Sequence, residues 1–290
     1  MLNAGLEYTE PLVYLMQDTG IGTSEFAART CYDSFKDSEH EVIKGLDYQA
    51  SSYMSDEHYQ ESYKEDLNSI ESSEILDTLA WTYFHHSILE HSVLTFLIKG
   101  TSRSVLQEEA RHRIQSLSVR STRYTMSDII NAYVASRSSR FGLEFFKSKI
   151  IPLDMFVVET KEFVEIEIET MFKKLELQES LMDIGEFIKT SVAKSSLEFL
   201  ETSVGPEELF KELQKGKKKK NVGDAFKHLV TDNWKVDMVV TFNLRSLKNF
   251  FDLRDSGSAY FQIRSLAKAM KEVTPKKYLK LIDKKARNEV

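Results

Sequence analysis

Apolar residues along this chain recur mostly every three or four positions, the spacing that gathers them on one side of an α-helix. Thr23 to Ser34 predicts a first helix, with Phe26, Ala27, Thr30 and Cys31 near one face. Ile75, Leu76, Leu79 and Tyr83 predict another. His91 to Ile98 breaks the period: it is rich in β-branched and aromatic residues, reads as a strand, and stops at Lys99-Gly100. Thr101 or Ser102 is then placed to cap a helix in which Leu106, Ala110, Ile114 and Leu117 form the core stripe. That stripe leaves Glu108, Arg111 and Gln115 together on another face. After Pro152 a long amphipathic run carries Phe156, Phe163, Val164, Ile168, Met171, Phe172 and Leu175, and a second helix continues through Phe187, Val192 and Leu197. Gly205-Pro206 breaks that pattern. Asn233 to Asn249 reads as partly helical around a β-like patch at Met238-Val239-Val240, and a final helix uses Tyr260, Ile263, Leu266, Ala267 and Met270.

Composition narrows the class. With 41% hydrophobic and 11% aromatic residues over 290 positions, the chain can bury a core as one large domain or two modest ones. Four prolines and eleven glycines favour helices over long loops, and no repeat or linker stands out. The stretch 35–73 is polar, acidic and rich in Ser and Tyr, and reads as a surface excursion with short helices. No apolar run is long enough for a bilayer, and the N-terminus lacks the basic-then-apolar order of a secretion signal. A single cysteine, Cys31, forbids an internal disulfide and fits a cytoplasmic setting. The net charge of −6 argues against a general nucleic-acid coat while leaving room for local basic patches.

Several chemistries fail on inspection. Gly20-Ile21-Gly22 begins a dinucleotide fingerprint, but Glu25 stands where its third glycine belongs and no strand clearly precedes it, so a turn is expected. No phosphate-binding loop ends in Gly-Lys-Ser or Gly-Lys-Thr. His85, His86, Glu90 and His91 lack the spacing of a zinc site, and no metal is expected. Cys31 lies beside Ala27 and Ala28 in a helical pattern and reads as a small buried thiol rather than a nucleophile. Lys217 to Lys220 reads as a solvated loop tip.

Two arginine segments resist a bland reading. One runs Arg111-His112-Arg113-Ile114-Gln115-Ser116 to Ser121-Thr122-Arg123-Tyr124; the other runs Asn243-Leu244-Arg245-Ser246-Leu247-Lys248-Asn249 to Leu253-Arg254. Guanidinium forks stay charged at any physiological pH and grip phosphate bidentately. Arg245 and Asn249 stand one helical turn apart, so both can face one ligand.

The spacing Arg111-His112-Arg113-x-x-Ser116-x-x-x-x-Ser121-x-Arg123 resembles the signature of the flavin-dependent thymidylate synthases. Glu90-His91, Ser102-Arg103, Glu108 and Ala27-Ala28-Arg29 fit the same pattern, as does Asn243-x-Arg245-Ser246-Leu247-x-Asn249-Phe250-x-x-Leu253-Arg254. The likeness is sharp over 23–34, 84–125 and 222–272. It implies an α+β fold: one helix-rich domain over 1–290 with a central, mostly antiparallel sheet, insertions at 35–73 and 205–221, and assembly as a homotetramer. It also implies that dUMP is methylated to dTMP with a methylenetetrahydrofolate donor, FAD and NADPH, and without a cysteine nucleophile.

By position, the resemblance assigns Ser87, Arg111, His112, Arg113, Asn243, Arg245 and Asn249 to FAD, and His85 to the neighbourhood of flavin and folate. It assigns Glu108, Arg111, Ser121, Thr122, Arg123, Lys227 and Arg254 to dUMP, with Arg254 as the catalytic residue. Ser118-Val119 departs from a frequent Asn-Glu, and Lys227 replaces an arginine, keeping its charge and losing its fork. With no histidine base identifiable beside it, Ser121 reads as a binding group. Two other readings stay open: an arginine-rich module that tracks nucleic-acid phosphates, and an FAD-binding protein that has lost catalysis.

Overall fold

The computed structural model describes residues 5–46, 57–122, 129, 132–133, 136, 139–150, 155–181 and 227–288. Arg123, the helix expected through Phe187 to Leu197, and the stretches 47–56 and 205–221 therefore lie outside the described residues. The chain gathers into two compact units. One comprises Glu10–Thr101, Val105–Val119 and Asp237–Val290, the other Met1–Thr9, Ser102–Ser104 and Arg120–Val236.

The first unit is built on a four-stranded sheet in the order β1-β2-β4-β3, from β1 (Leu12–Asp18), β2 (Val93–Ser102), β3 (Ser116–Val119) and β4 (Lys235–Asn243). β1 pairs antiparallel to β2 and β3 antiparallel to β4. Period-2 alternation sends Leu94, Phe96, Ile98, Met238, Val240 and Phe242 to one face, all buried. Helices cover that face: α1 (Gly22–Tyr32), α4 (Glu74–Trp81), α8 (Leu244–Arg254), α9 (Phe261–Val273) and α10 (Lys276–Ile282) contribute Ala28, Leu76, Leu247, Phe250, Leu266, Met270 and Tyr278 to one core. Short α2 (Glu41–Lys44) and α3 (Glu57–Ser69) occupy the excursion, and α11 (Lys284–Asn288) ends the chain. The short α5 (Arg103–Glu109) joins β2 to the first arginine segment. In the second unit α6 (Gly142–Ile150) and α7 (Lys161–Leu181) enclose a Tyr133, Phe146 and Phe172 cluster, while Phe156 meets Trp234 edge-on at 5.3 Å. Among the described residues no helix is long and apolar enough to cross a membrane.

Several elements differ from the sequence reading. A strand, β1, does precede Gly20-Ile21-Gly22, but the glycines serve packing. Gly20 has φ +71°, and a Cβ on Gly22 would lie 2.4 Å from the Leu67 carbonyl oxygen. Tyr278 seals the same turn, donating to Asp18 Oδ1 at 2.6 Å while Gly20 N–H donates to that oxygen. β2 continues through Gly100, whose φ of +75° and N–H to Asp237 Oδ1 turn an expected stop into strand, so Thr101 and Ser102 are buried strand residues rather than caps. Asn233 to Asn249 divides into strand β4 and the start of α8. Helix α9 is followed by two more, and Phe163 lies on the exposed side of α7.

The inward face of α1 is Ser24, Glu25, Ala28 and Arg29, not the expected Phe26 and Cys31, both of which are exposed. Buried Glu25 is paid for by partners: Ser38 donates to Oε1 at 2.6 Å, Arg29 lies 3.4 Å from Oε1, and His40 lies 3.6 Å from Oε2. His40 also stands 3.5 Å from Glu39 and bonds the Ser72 carbonyl at 2.9 Å, a bridging imidazole between two carboxylates.

Candidate active site

The first helix of the site begins where β4 ends. Asn243 caps α8, its side-chain oxygen accepting the Ser246 N–H at 2.8 Å. Leu244, Leu247, Phe250 and Phe251 anchor the helix in the core, which turns Arg245, Lys248, Asn249 and Asp252 outward and brings Arg254 to its last turn. The opposing wall is the end of α5 and the turn after it. The expected core stripe through Ala110 and Ile114 is absent, because the helix ends at Glu109; Ala110 is exposed and Ile114 is 69% exposed. Leu117 instead faces Val240 from β3.

Arg254 joins these two walls. Its Nε donates to His112 Nε2 at 2.9 Å, one terminal nitrogen donates to Glu108 Oε2 at 2.8 Å, and the other to the Glu108 carbonyl at 3.2 Å. Three of its five N–H groups are thus used, and the planar fork is fixed with the rest available. The carbonyl contact also places a cation at the negative end of α5. His112, buried and edge-on to Phe250 at 5.0 Å, must present a lone pair at Nε2 to accept this bond. Burial, then the Arg254 charge, lowers its pKa to about 4 against a smaller pull from Glu108, so the ring is neutral at physiological pH. Next to it Glu109 is fully buried, and burial raises its pKa to about 8 against the opposing Arg254 charge and the Gln115 amide.

The cleft between these walls has a volume of about 670 Å³. Arg111, His112, Arg113, Ile114, Arg245, Asn249, Leu253 and Arg254 line it, together with His86, Ser246, Lys248 and Asp252. Its cations are only partly neutralised. Glu108 serves both Arg254 and Arg111 (3.3 Å), Glu90 lies 2.5 Å from Arg245, and Asp252 lies 2.7 Å from Lys248. Arg113 has no carboxylate in ion-pair range among the described residues. The surplus of forks suits a polyanion, and the exposed Ile114 and Leu253 offer apolar wall for a ring.

Of the residues expected from sequence, Arg111, His112, Arg113, Arg245, Asn249 and Arg254 meet in this cleft, with Glu108 on Arg254. Asn243 is occupied as a cap, and exposed Ser87 is not part of the lining. His85 bonds the Tyr32 hydroxyl at 2.9 Å, while its neighbour His86 lines the cleft and bonds the Ala80 carbonyl at 3.0 Å. Ser121, Thr122 and exposed Lys227 belong to the other unit, where Thr122 is buried and accepts from Arg103 at 3.3 Å. Sequence reasoning weighed His86 only against a metal role, named Lys248 within the second arginine segment without a role, and missed Glu109.

A helix-backed antiparallel sheet ending in a cleft of guanidinium groups defines an α+β protein equipped to bind small polyanions. Residues 14–278 match the family described as Thymidylate synthase complementing protein, and the chain belongs to that family. It is 29% identical over 266 residues to a flavin-dependent thymidylate synthase of Wolinella succinogenes, covering 92% of this chain and 94% of that one. A Campylobacter jejuni protein of the same description is 27% identical over 267 residues, covering 92% and 93%. Among solved structures, flavin dependent thymidylate synthase ThyX from Helicobacter pylori, complexed with FAD and dUMP, gives a TM-score of 0.53 at 26% identity, covering 94% of this chain and 98% of that one.

Proposed function

We propose that this protein is a flavin-dependent thymidylate synthase of the cytoplasm, methylating C5 of dUMP with methylenetetrahydrofolate as carbon donor and NADPH as reductant. The observation that carries this reading is Arg254, held rigid by Glu108 and His112 on the wall of an arginine-lined cleft in a chain of this family. Arg254 would lie against the uracil and stabilise negative charge developing at N3, which a pre-oriented guanidinium does without reorganising. Glu108 and His112 orient it. Ser121, Thr122, Arg123 and Lys227 are proposed to hold the nucleotide, from the same or a neighbouring subunit.

The lining fits FAD: Arg111, Arg113 and Arg245 suit its pyrophosphate, Asn249 and His112 supply further polar contacts, and Ile114 and Leu253 suit a ring. Ser87, Asn243 and His85 are proposed to complete its surroundings. FAD would supply the hydride chemistry. Cys31 is exposed on α1 and is not part of the cleft lining, which favours a route without a thiolate.

We also propose a single functional domain assembled as a homotetramer with shared active sites. Exposed apolar side chains on the sheet support it: Leu12 and Met16 are each 60% exposed, Tyr14 is 48% exposed, and Val239 joins them.

The test is a flavin spectrum and a dTMP assay on purified protein. Arg254→Ala should abolish dTMP formation and leave the protein yellow, and Cys31→Ala should keep substantial activity. Near-normal turnover in the first variant removes Arg254 from its role. Complete loss in the second, with flavin bound, would revive a thiol mechanism.

A further inference from the structure

Directly behind Arg254 lies an unusual carboxyl group. Glu109 is fully buried at the end of α5, and neither carboxyl oxygen has a hydrogen-bond partner among the described residues. The Gln115 side-chain oxygen is buried and equally unpartnered. The turn between them is closed on the Glu109 main chain, whose carbonyl accepts Gln115 Nε2 at 2.8 Å and the His112 N–H at 3.0 Å. Arg254 attracts Glu109 by charge alone, since its described hydrogen bonds go to His112 and Glu108.

An ionised carboxylate buried without a donor is among the costliest arrangements in a protein. A proton on Glu109 removes that charge.

We propose that Glu109 is a positioning residue for Arg254, a buried carboxyl kept protonated so that Arg254 meets anionic substrate with only one carboxylate, Glu108, against it. The role rests on the reading that Arg254 contacts dUMP. The groups around Glu109 are Arg254 from α8, Glu108 on its own helix, and neutral His112 and Gln115 on the turn. With Glu109 protonated, Glu108 alone stands against Arg254 and Arg111. Once its proton leaves to solvent, a second negative charge lies beside Arg254 in a site that must accept an anion. Burial places that transition near pH 8.

The experiment measures dUMP affinity of the flavin-loaded protein by titration calorimetry between pH 6 and 9.5, for wild type, Glu109→Gln and Gln115→Met. Wild-type affinity should fall above about pH 8, and Glu109→Gln should remove that alkaline fall. Gln115→Met, lacking the amide that favours the charged carboxylate, should move it to higher pH, and it serves if the first variant fails to fold. Infrared difference spectra of wild type should show a protonated carboxyl band that titrates on the same midpoint. Level wild-type affinity to pH 9, a fall shared by Glu109→Gln, or a carboxylate already ionised at pH 7 overturns the assignment. A protein that binds no dUMP at any pH overturns the substrate reading and the role with it, while the infrared titration separately decides whether Glu109 holds its proton.

Discussion

At the scale of single residues, His112 and Glu109 are two neighbours that fold in their neutral forms, and they give stability opposite pH dependences. His112 titrates near 4 in the fold and 6.5 in the unfolded chain, so its contribution is present above pH 6.5 and is lost as pH falls toward 4. Glu109 titrates near 8 in the fold and 4.5 when unfolded, so its contribution is present below pH 4.5 and is lost as pH rises through 8. The second shift corresponds to on the order of 5 kcal/mol between its limits. Urea midpoints of wild type and Glu109→Gln should therefore diverge as pH rises from 5 to 9, the variant becoming the more stable partner. Parallel curves would mean that Glu109 folds as a carboxylate. Arg254, His112 and Glu108 were legible in sequence because their spacing matched a known pattern. Glu109 was not: an acidic residue beside Glu108 on a short helix looks solvated until the helix is seen to stop there and turn it inward.

At the scale of elements, the junction of β4 and α8 makes Asn243 a helix cap, and one substitution pair can separate that job from the proposed contact with flavin. Its oxygen is the cap acceptor for Ser246 N–H, and the family pattern assigns the residue to flavin. Asn243→Ala should cost about 1 kcal/mol, read as a lowered melting temperature. Asn243→Asp retains a cap oxygen and should melt with wild type, yet release flavin more readily because its side chain no longer donates. Equal flavin affinity in Asn243→Asp would leave Asn243 a cap and nothing more. The passage from α5 into β3 shows where periodicity misled. Helical spacing through Leu106, Ala110, Ile114 and Leu117 is real in the sequence, but Ala110 and Ile114 are exposed and Leu117 is paired in a strand. The sheet overrode local spacing: β4 offers β3 a partner edge, and Leu117 buries itself by joining it. Longer segments with a strong stripe, α7 and α9, were recognised as helices because their buried residues continue over several turns, although Phe156 lies before α7 and Phe163 and Tyr260 are exposed.

At the scale of the whole molecule, the four-stranded sheet poses the remaining question, since among the described residues helices cover only one of its faces. On the other, Leu12 and Tyr14 stand opposite Lys99 and Leu97, while Met16 sits at the register shift of β1. Thr95 and Thr241 bond across β2 and β4 at 3.0 Å, and Val239 stands opposite Ser118. Such a face is too apolar along β1 for a surface meant only for water, and a second copy of the chain is the occupant that the proposed homotetramer would provide. No sequence pattern announced it, because β1 was not recognised as a strand and its alternation went unread. Replacing Tyr14 and Met16 together by Lys should leave the protomer folded, since both side chains are already exposed, with a near-wild-type far-UV circular dichroism spectrum. Sedimentation should then show dissociation to smaller species, and dTMP formation should fall with it if each active site draws on more than one subunit. A variant that sediments as wild type places the interface elsewhere. One that dissociates with full activity keeps the interface and removes the sharing of sites. Burying two lysines against a neighbouring subunit is costly enough that a true interface here could not absorb the change.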